Sequence, residues 1–264
     1  MNVGISIFSG IPIEEQIKHL KDNGINRTFI SSEWKDFDGA MSLMRENGIV
    51  CETLHAPYNR INDMWGRDPF AARKMLRRLR DAVDKCAKYS IPIVIVHLSS
   101  GCPMPEINRR GIRRFDSLYR YAKKRGVTIA YENQRYLENI TFFMERHRDA
   151  AFCYDVGHEN GFTKNIMFMD HFGSRLVALH VHDNRCGGYD TDDHLIPFDG
   201  KIDYAYAAKA IADSPFDGTM MLEITKRASI DDVPVYGDIT DEEYYTKAAS
   251  AARRLADMVE EYSK

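Results

Sequence analysis

Apolar runs of period two alternate eight times with amphipathic stretches of period 3.6 along this chain. The strand-like runs fall at 2–8, 25–31, 49–55, 91–98, 127–133, 151–156, 176–183 and 218–224. The helical stretches fall at 13–23, 37–47, 69–89, 106–125, 137–147, 165–174, 203–212 and 240–262. Strict alternation requires crossover connections, and therefore parallel strands. Eight such units close on themselves, so the pattern predicts an α/β fold, the (β/α)8 TIM barrel. A length of 264 residues with 44% hydrophobic content suits a single barrel domain over 1–264. Helices that run into Gly before the next strand, as in KDNG, RENG and KKRG, carry the expected C-terminal stop.

A formal charge of -3 gives no global attraction for nucleic acid or an anionic membrane. The basic clusters Arg73, Lys74, Arg77, Arg78 and Arg80, and Arg109, Arg110, Arg113 and Arg114, read as solvated outer faces of two helices. On the first of these, Phe70, Met75, Leu79, Ala82, Val83 and Cys86 make the apolar stripe. The opening MNVGISIFSG has no basic n-region, and no apolar stretch is long enough to span a bilayer, so a cytoplasmic protein is expected. Cys51, Cys86, Cys102, Cys153 and Cys186 form no CxxC pair and read as reduced thiols. Glycine-rich phosphate cradles and a Gly-x-Ser-x-Gly elbow are absent from the sequence.

Six strand-like runs end on residue types that bind metals: His55 in VCETLHAP, His97 in IVIVHLSS, Glu132 in TIAYENQ, Asp155 with His158 in AFCYDVGH, His182 in VALHVHDN, and Glu223 in TMMLEIT. Alternation lets each point inward at the C-terminal mouth of a barrel. A lone strand His is ordinarily a hydrogen-bonded core side chain. Six coincident strand ends are better explained by a shared divalent cation, because unpaired carboxylates in a barrel mouth are costly to desolvate. His180, two residues before His182, reads as a deeper supporting residue, and His19, His147 and His171 as surface or packing residues. The long segment Asn184–Lys201, which follows the seventh strand, has the placement of a functional loop.

HAPYNRIN, IVIVHLSSG, AYENQ, YDVGHENG, HVHDN, DDHLIPFDGKIDY and LEIT together resemble the xylose isomerase-like barrel superfamily. That group holds sugar and sugar-phosphate isomerases and epimerases, hydroxypyruvate isomerase, inosose dehydratase and endonuclease IV. For the single-metal members the resemblance implies that Glu132, Asp155, His182 and Glu223 hold the ion. For the multinuclear phosphodiesterase it implies an additional metal site from His55, His97, His158, Asp192 and His194. It also implies a homodimer or homotetramer.

Three oxygen donors and one imidazole suit Mn2+, with Co2+ or Mg2+ also fitting, while the extra His residues favour Zn2+. The expected function is a divalent-metal-dependent sugar or sugar-phosphate isomerase or epimerase. Chelation of a carbonyl and its neighbouring hydroxyl would stabilise an enediolate, with Glu132 and Glu223 as the acid/base pair. His55, His97, His158 and His194 would hold substrate. Arg185, Arg60 and Lys226 would meet a phosphate or distal hydroxyl, and Trp34, Trp65 and Phe8 would form an apolar wall. The alternatives are an endonuclease IV-like zinc phosphodiesterase on abasic DNA, an inosose-type dehydratase, and a barrel that binds without turnover. A small sugar is the expected partner, not membrane or nucleic acid.

Overall fold

A computed structural model describes residues 1–163, 166–185 and 191–264. Strands β2 (Arg27–Ser31), β3 (Val50–His55), β4 (Ile93–Val96), β5 (Thr128–Glu132), β6 (Ala151–Asp155) and β7 (Leu176–His180) pair in that order, all parallel. Strand β1 (Asn2–Ile5) pairs in parallel with β8 (Thr219–Leu222). Backbone bonds close the ring: Ile7 N donates to Phe29 O at 3.0 Å, and Val181 N and Glu223 N donate to Met221 O and Val181 O, each at 3.0 Å. The eight-stranded parallel barrel expected from the alternation is therefore the fold.

The helices start and stop where local chemistry tells them to. In α3 (Pro69–Tyr89) Pro69 opens the first turn and the Asp68 carboxylate accepts from Phe70 N and Ala71 N. Asn108 caps α4 (Arg109–Lys124), and Thr240 with Glu243 forms a capping box on α9 (Asp241–Tyr262). The remaining long helices are α1 (Ile13–Asp22), α2 (Phe37–Glu46), α5 (Leu137–Arg146) and α8 (Tyr204–Ala212). The α3 stripe is buried from Met75 to Cys86, but Phe70 is exposed. It sits in the first turn, before the helix reaches the barrel wall.

Inside the ring, Ile95, Ala130, Ala151, Cys153 and Ala178 form a layer of mostly small side chains. Above them Phe29, His55 and His180 stack, with ring centroids 4.5 Å apart for Phe29 and His180 and 5.6 Å for His55 and His180. Small residues below and imidazoles above give the C-terminal mouth a polar floor.

Two helices follow β6 where one was expected. The first, α6 (Val156–Phe162), begins directly at the strand's end because the Asp155 side chain accepts from His158 N at 2.6 Å and caps it. The second, α7 (Phe168–Phe172), continues into a 3-10 turn at Gly173–Arg175. Residues 164–165, the second of which opens the helix expected over 165–174, and Cys186 with the rest of 186–190 in the long loop, lie outside the described residues. A two-residue-per-strand hairpin, β9 (Ser229–Ile230) with β10 (Val233–Pro234), escaped the periodicity because it is too short to show one. No described helix is long and apolar enough to cross a membrane.

Outside the ring, Asp116 of α4 receives Arg146 Nε at 2.6 Å, Arg146 Nη2 at 2.7 Å and His147 Nε2 at 3.0 Å, and Tyr131 Oη meets His147 Nδ1 at 2.7 Å. The Arg146 bonds, with His147 adding to them, hold the Asp116 carboxyl below its ordinary 3.8. A depressed carboxyl contributes stability above its free-chain value and loses it as pH falls through the folded one. Asp116→Asn is therefore expected to lose about 1.5–3 kcal/mol at pH 7, with its melting temperature converging on the wild type's as pH falls through the lowered Asp116 value. A constant gap between the two melting curves from neutral pH down into that acid range would contradict this.

Candidate active site

The barrel brings the strand-end donors to one mouth, where they form two adjoining groups. In the inner group Glu132 Oε2 lies 3.1 Å from His97 Nε2, 3.4 Å from His55 Nε2 and 3.4 Å from His180 Nδ1. Glu223 Oε2 lies 3.0 Å from the same His180 Nδ1. In the outer group His182 Nε2 lies 3.3 Å from Asp155 Oδ1 and 3.5 Å from Asp192 Oδ1, and His194 Nε2 lies 3.3 Å from Asp192 Oδ1. His158 joins the two, with Nδ1 3.1 Å from Glu132 Oε1 and Nε2 3.6 Å from Asp192 Oδ2.

The four residues expected to share one ion all reach this mouth, and His158 Nδ1 lies 3.1 Å from Glu132 and 3.5 Å from Asp155. Glu132 and Glu223 meet across His180, whereas Asp155 and His182 face each other in the outer group. Register sets the two histidines at different levels. His180 pairs directly with Asp155 across β6 and β7, so its ring is level with the strand ends. His182 lies beyond the end of β7, over the first turn of α6.

Gly157 makes that place available. A Cβ built there would lie 2.0 Å from His182 Cε1 and 2.3 Å from its Nε2, and the other partner of the ring, His194, stacks at 4.1 Å. Helix propensity alone would make Gly157→Ala stabilising by about 0.5–1 kcal/mol. The clash predicts the opposite sign, a loss of about 1–3 kcal/mol measured by thermal melting. A raised melting temperature would show that the ring has room to move.

Electrostatics tie the inner group together. Burial would raise the Glu132 carboxyl, but the facing His97, His180 and His158 hold it well below the usual range. Burial works against a charge on His180 and His158 as well. The carboxylates around them prevail and lift both well above the ordinary histidine value. His194, beside Asp192, is lifted to about 10 against the same burial. His97 is lowered, because burial outweighs Glu132 there.

Several of these atoms are close without being hydrogen-bonded. Asp155 Oδ2 and both ring nitrogens of His180 and His182 are buried and make no hydrogen bond. Contacts near 3 Å that miss hydrogen-bond directions suit ligands aimed at a common point, since donors about 2.1 Å from one ion stand roughly that far apart. The sets His55, His97, Glu132; His55, His180, Glu223; Asp155, His158, His182; and His182, Asp192, His194 each place their donor atoms within 4.8 Å of one another. The residues present fit a divalent cation.

A cavity of about 100 Å³ opens above the donors, lined by His55, His97, Glu132, His158, Asp192, His194 and Glu223 together with Tyr58, Ser100, Gly101, Gln134, Arg135 and Phe162. Tyr58 stacks on His97 at 5.0 Å, and Phe162 lies between His158, 4.8 Å away, and the Arg135 guanidinium, 3.7 Å away. Behind the turn, Glu159 accepts from Tyr154 Oη at 2.6 Å and Phe168 N at 2.8 Å, which ties α6 to α7. Burial pushes its carboxyl up to about 7.

Other expected contacts are spent elsewhere. Arg185 is paired with Asp193 at 3.0 Å and Asp231 at 3.5 Å, Lys226 with Asp241, and Arg60 with Asp63 at 2.9 Å. Trp34 and Phe8 line a different recess, with Ile11 and Lys35. Trp65 is core, its Nε1 donating to Leu98 O at 2.8 Å and its ring 5.3 Å from Phe115. None of the six lines the cavity. Gln134 and His180 were the residues undervalued by sequence reasoning, although period two places Gln134 on the face of Glu132 and His180 on the face of His182.

The family model for a xylose isomerase-like TIM barrel matches residues 40–255. Among curated proteins, an uncharacterized protein, y4fM, of Sinorhizobium fredii is 27% identical over 200 residues, which is 69% of this chain and 60% of that protein's length. Similar solved structures include D-psicose 3-epimerase with D-tagatose from Clostridium cellulolyticum H10, 16% identical over 98% of this chain and 99% of that one, with a TM-score of 0.78. A D-tagatose 3-epimerase-like protein is 17% identical over 100% of both chains, with a TM-score of 0.76. A Thermus thermophilus protein soaked with ZnCl2 is 17% identical over 99% of both, with a TM-score of 0.70.

Proposed function

We propose that this chain, which belongs to the xylose isomerase-like TIM barrel family, is a divalent-metal-dependent isomerase or epimerase of a small sugar or sugar phosphate. The observation that carries the reading is the pair of carboxylates Glu132 and Glu223, from the ends of β5 and β8, both meeting Nδ1 of one buried imidazole, His180. The epimerases among the similar structures support the substrate class.

Glu132, Glu223 and His180 would hold the ion, with His55 beside them and Asp155 and His182 on the outer side. A divalent cation there supplies Lewis-acid polarisation of a carbonyl and its neighbouring hydroxyl. The imidazole share of this set favours zinc, cobalt or manganese over magnesium. One glutamate takes the proton from the carbon beside the carbonyl and the other returns it, which needs carboxylates on opposite sides of the substrate. His158 and His194 hold or shuttle hydroxyl protons from the outer wall, and Tyr58 and Phe162 supply apolar faces.

The outer donors Asp155, His158, His182, Asp192 and His194 exceed what one ion needs, and they favour a multinuclear zinc phosphodiesterase as the second reading. Ketoses, aldoses and their phosphates incubated with metal-loaded protein in heavy water are expected to take up deuterium beside the carbonyl, seen by NMR. Incision of abasic DNA without any such exchange would replace the first reading by the second.

A further inference from the structure

Gln134 follows Glu132 by two residues, just beyond β5, and its side chain enters the cavity beside that carboxylate. Its amide nitrogen lies 3.1 Å from His158 Nδ1, 3.3 Å from His97 Nε2 and 3.4 Å from Glu132 Oε1. His158 Nδ1 is also 3.0 Å from the Asn133 carbonyl, and His97 Nε2 is 3.1 Å from Glu132 Oε2, so the amide donates to Glu132 Oε1 and its second hydrogen stands against His97. Those two residues, with His55, make up one corner whose donor atoms lie within 4.8 Å of one another. The electropositive end of a neutral amide therefore stands against two of the three residues that a cation in this corner would use.

We propose, on the basis of the metal-dependent reading above, that Gln134 is a positioning residue that sets how many cations the mouth retains. With its amide against Glu132 and His97, it keeps the His55–His97–Glu132 corner from taking an ion of its own. The cation shared by Glu132, Glu223 and His180 is left undisturbed. Removing the amide takes a donor away from Glu132 Oε1, which keeps only His158 Nδ1 at 3.1 Å, and clears the space beside His97 Nε2, so that a cation can approach both.

Full-length wild type, Gln134→Ala and the double variant Gln134→Ala with His97→Ala are loaded with ZnCl2 and equilibrated against a graded chelator, and zinc per chain is measured by plasma mass spectrometry. Gln134→Ala is expected to retain one more zinc per chain than the wild type, or to bind its last zinc about tenfold more tightly or better. Adding His97→Ala is expected to return the count to that of the wild type. Gln134→Ser, also too short to reach both residues, is measured alongside in case the alanine variant does not fold. Equal counts and equal affinities in wild type and variant would overturn the proposal, as would an extra zinc that survives His97→Ala. Zinc counts do not depend on turnover. Absence of deuterium exchange in the wild type would defeat the catalytic reading and leave this one standing or falling on its own.

Discussion

Glu132→Gln and Glu223→Gln are each expected to lower proton exchange on the sugar by about 10²–10⁴-fold, the usual share of a positioned acid or base. The two variants should differ in what else they lose. Glu132 faces His55, His97, His158 and His180, so its amide takes a carboxylate from four imidazoles, of which only His158 and His180 keep another, and metal affinity should fall with activity. Glu223 meets His180 alone among them and keeps a 19% exposed side chain, so Glu223→Gln should retain more of its metal while losing exchange. Exchange followed by NMR and metal content measured on the same samples separate the two effects. Full exchange in either variant would remove that glutamate from the acid/base pair.

The barrel was legible because its cause is local and repeated. Period-two runs such as TIAYE and AFCYD can bury both faces only in a covered parallel sheet, and the Gly-ended connections only sharpened the boundaries. Strands β5 and β6 and helices α3, α5 and α9 lie within a few residues of where periodicity put them. Helix α6 was missed because so short a segment carries too little periodicity, and its real signal was chemical: Asp155 followed by His158 at the N-terminal cap spacing.

The donors were legible as residue types at strand ends, but their partnering was not. The register of β7 against β6 sets His180 level with Asp155, and its Nδ1 meets both glutamates, which residue types alone do not reveal. The pairing of the cations Arg185, Lys226 and Arg60 was hidden for a related reason. Their neutralising partners Asp193, Asp241 and Asp63 are near enough in sequence to suggest a pair, yet only the folded loops show that the pairs form. Trp65 shows the limit from the other side, since an aromatic next to a functional segment is buried whenever two helices close over it.

Removing or restoring the metal should expose the protons stored in the mouth. His158 and His180 are lifted well above the ordinary 6.5 and His194 to about 10, so without a cation these imidazoles carry protons at neutral pH. A group with a raised folded pKa contributes stability below its unfolded value of about 6.5 and loses it as pH rises through the folded one. The metal-free protein should accordingly become less stable between about pH 7 and 10. A cation needs the same lone pairs, so its binding expels protons, and affinity should rise about tenfold per pH unit for each proton released. His97, lowered by burial, has no proton to give at neutral pH and adds nothing to this slope. The melting-temperature gap between zinc-loaded and chelator-treated protein is thus expected to widen from about pH 6 to about pH 8. Calorimetric heats of zinc binding should also scale with the ionisation enthalpy of the buffer. A gap that does not change with pH, together with buffer-independent heats, would mean that the imidazoles facing Glu132, Glu223 and Asp192 are not the ligands.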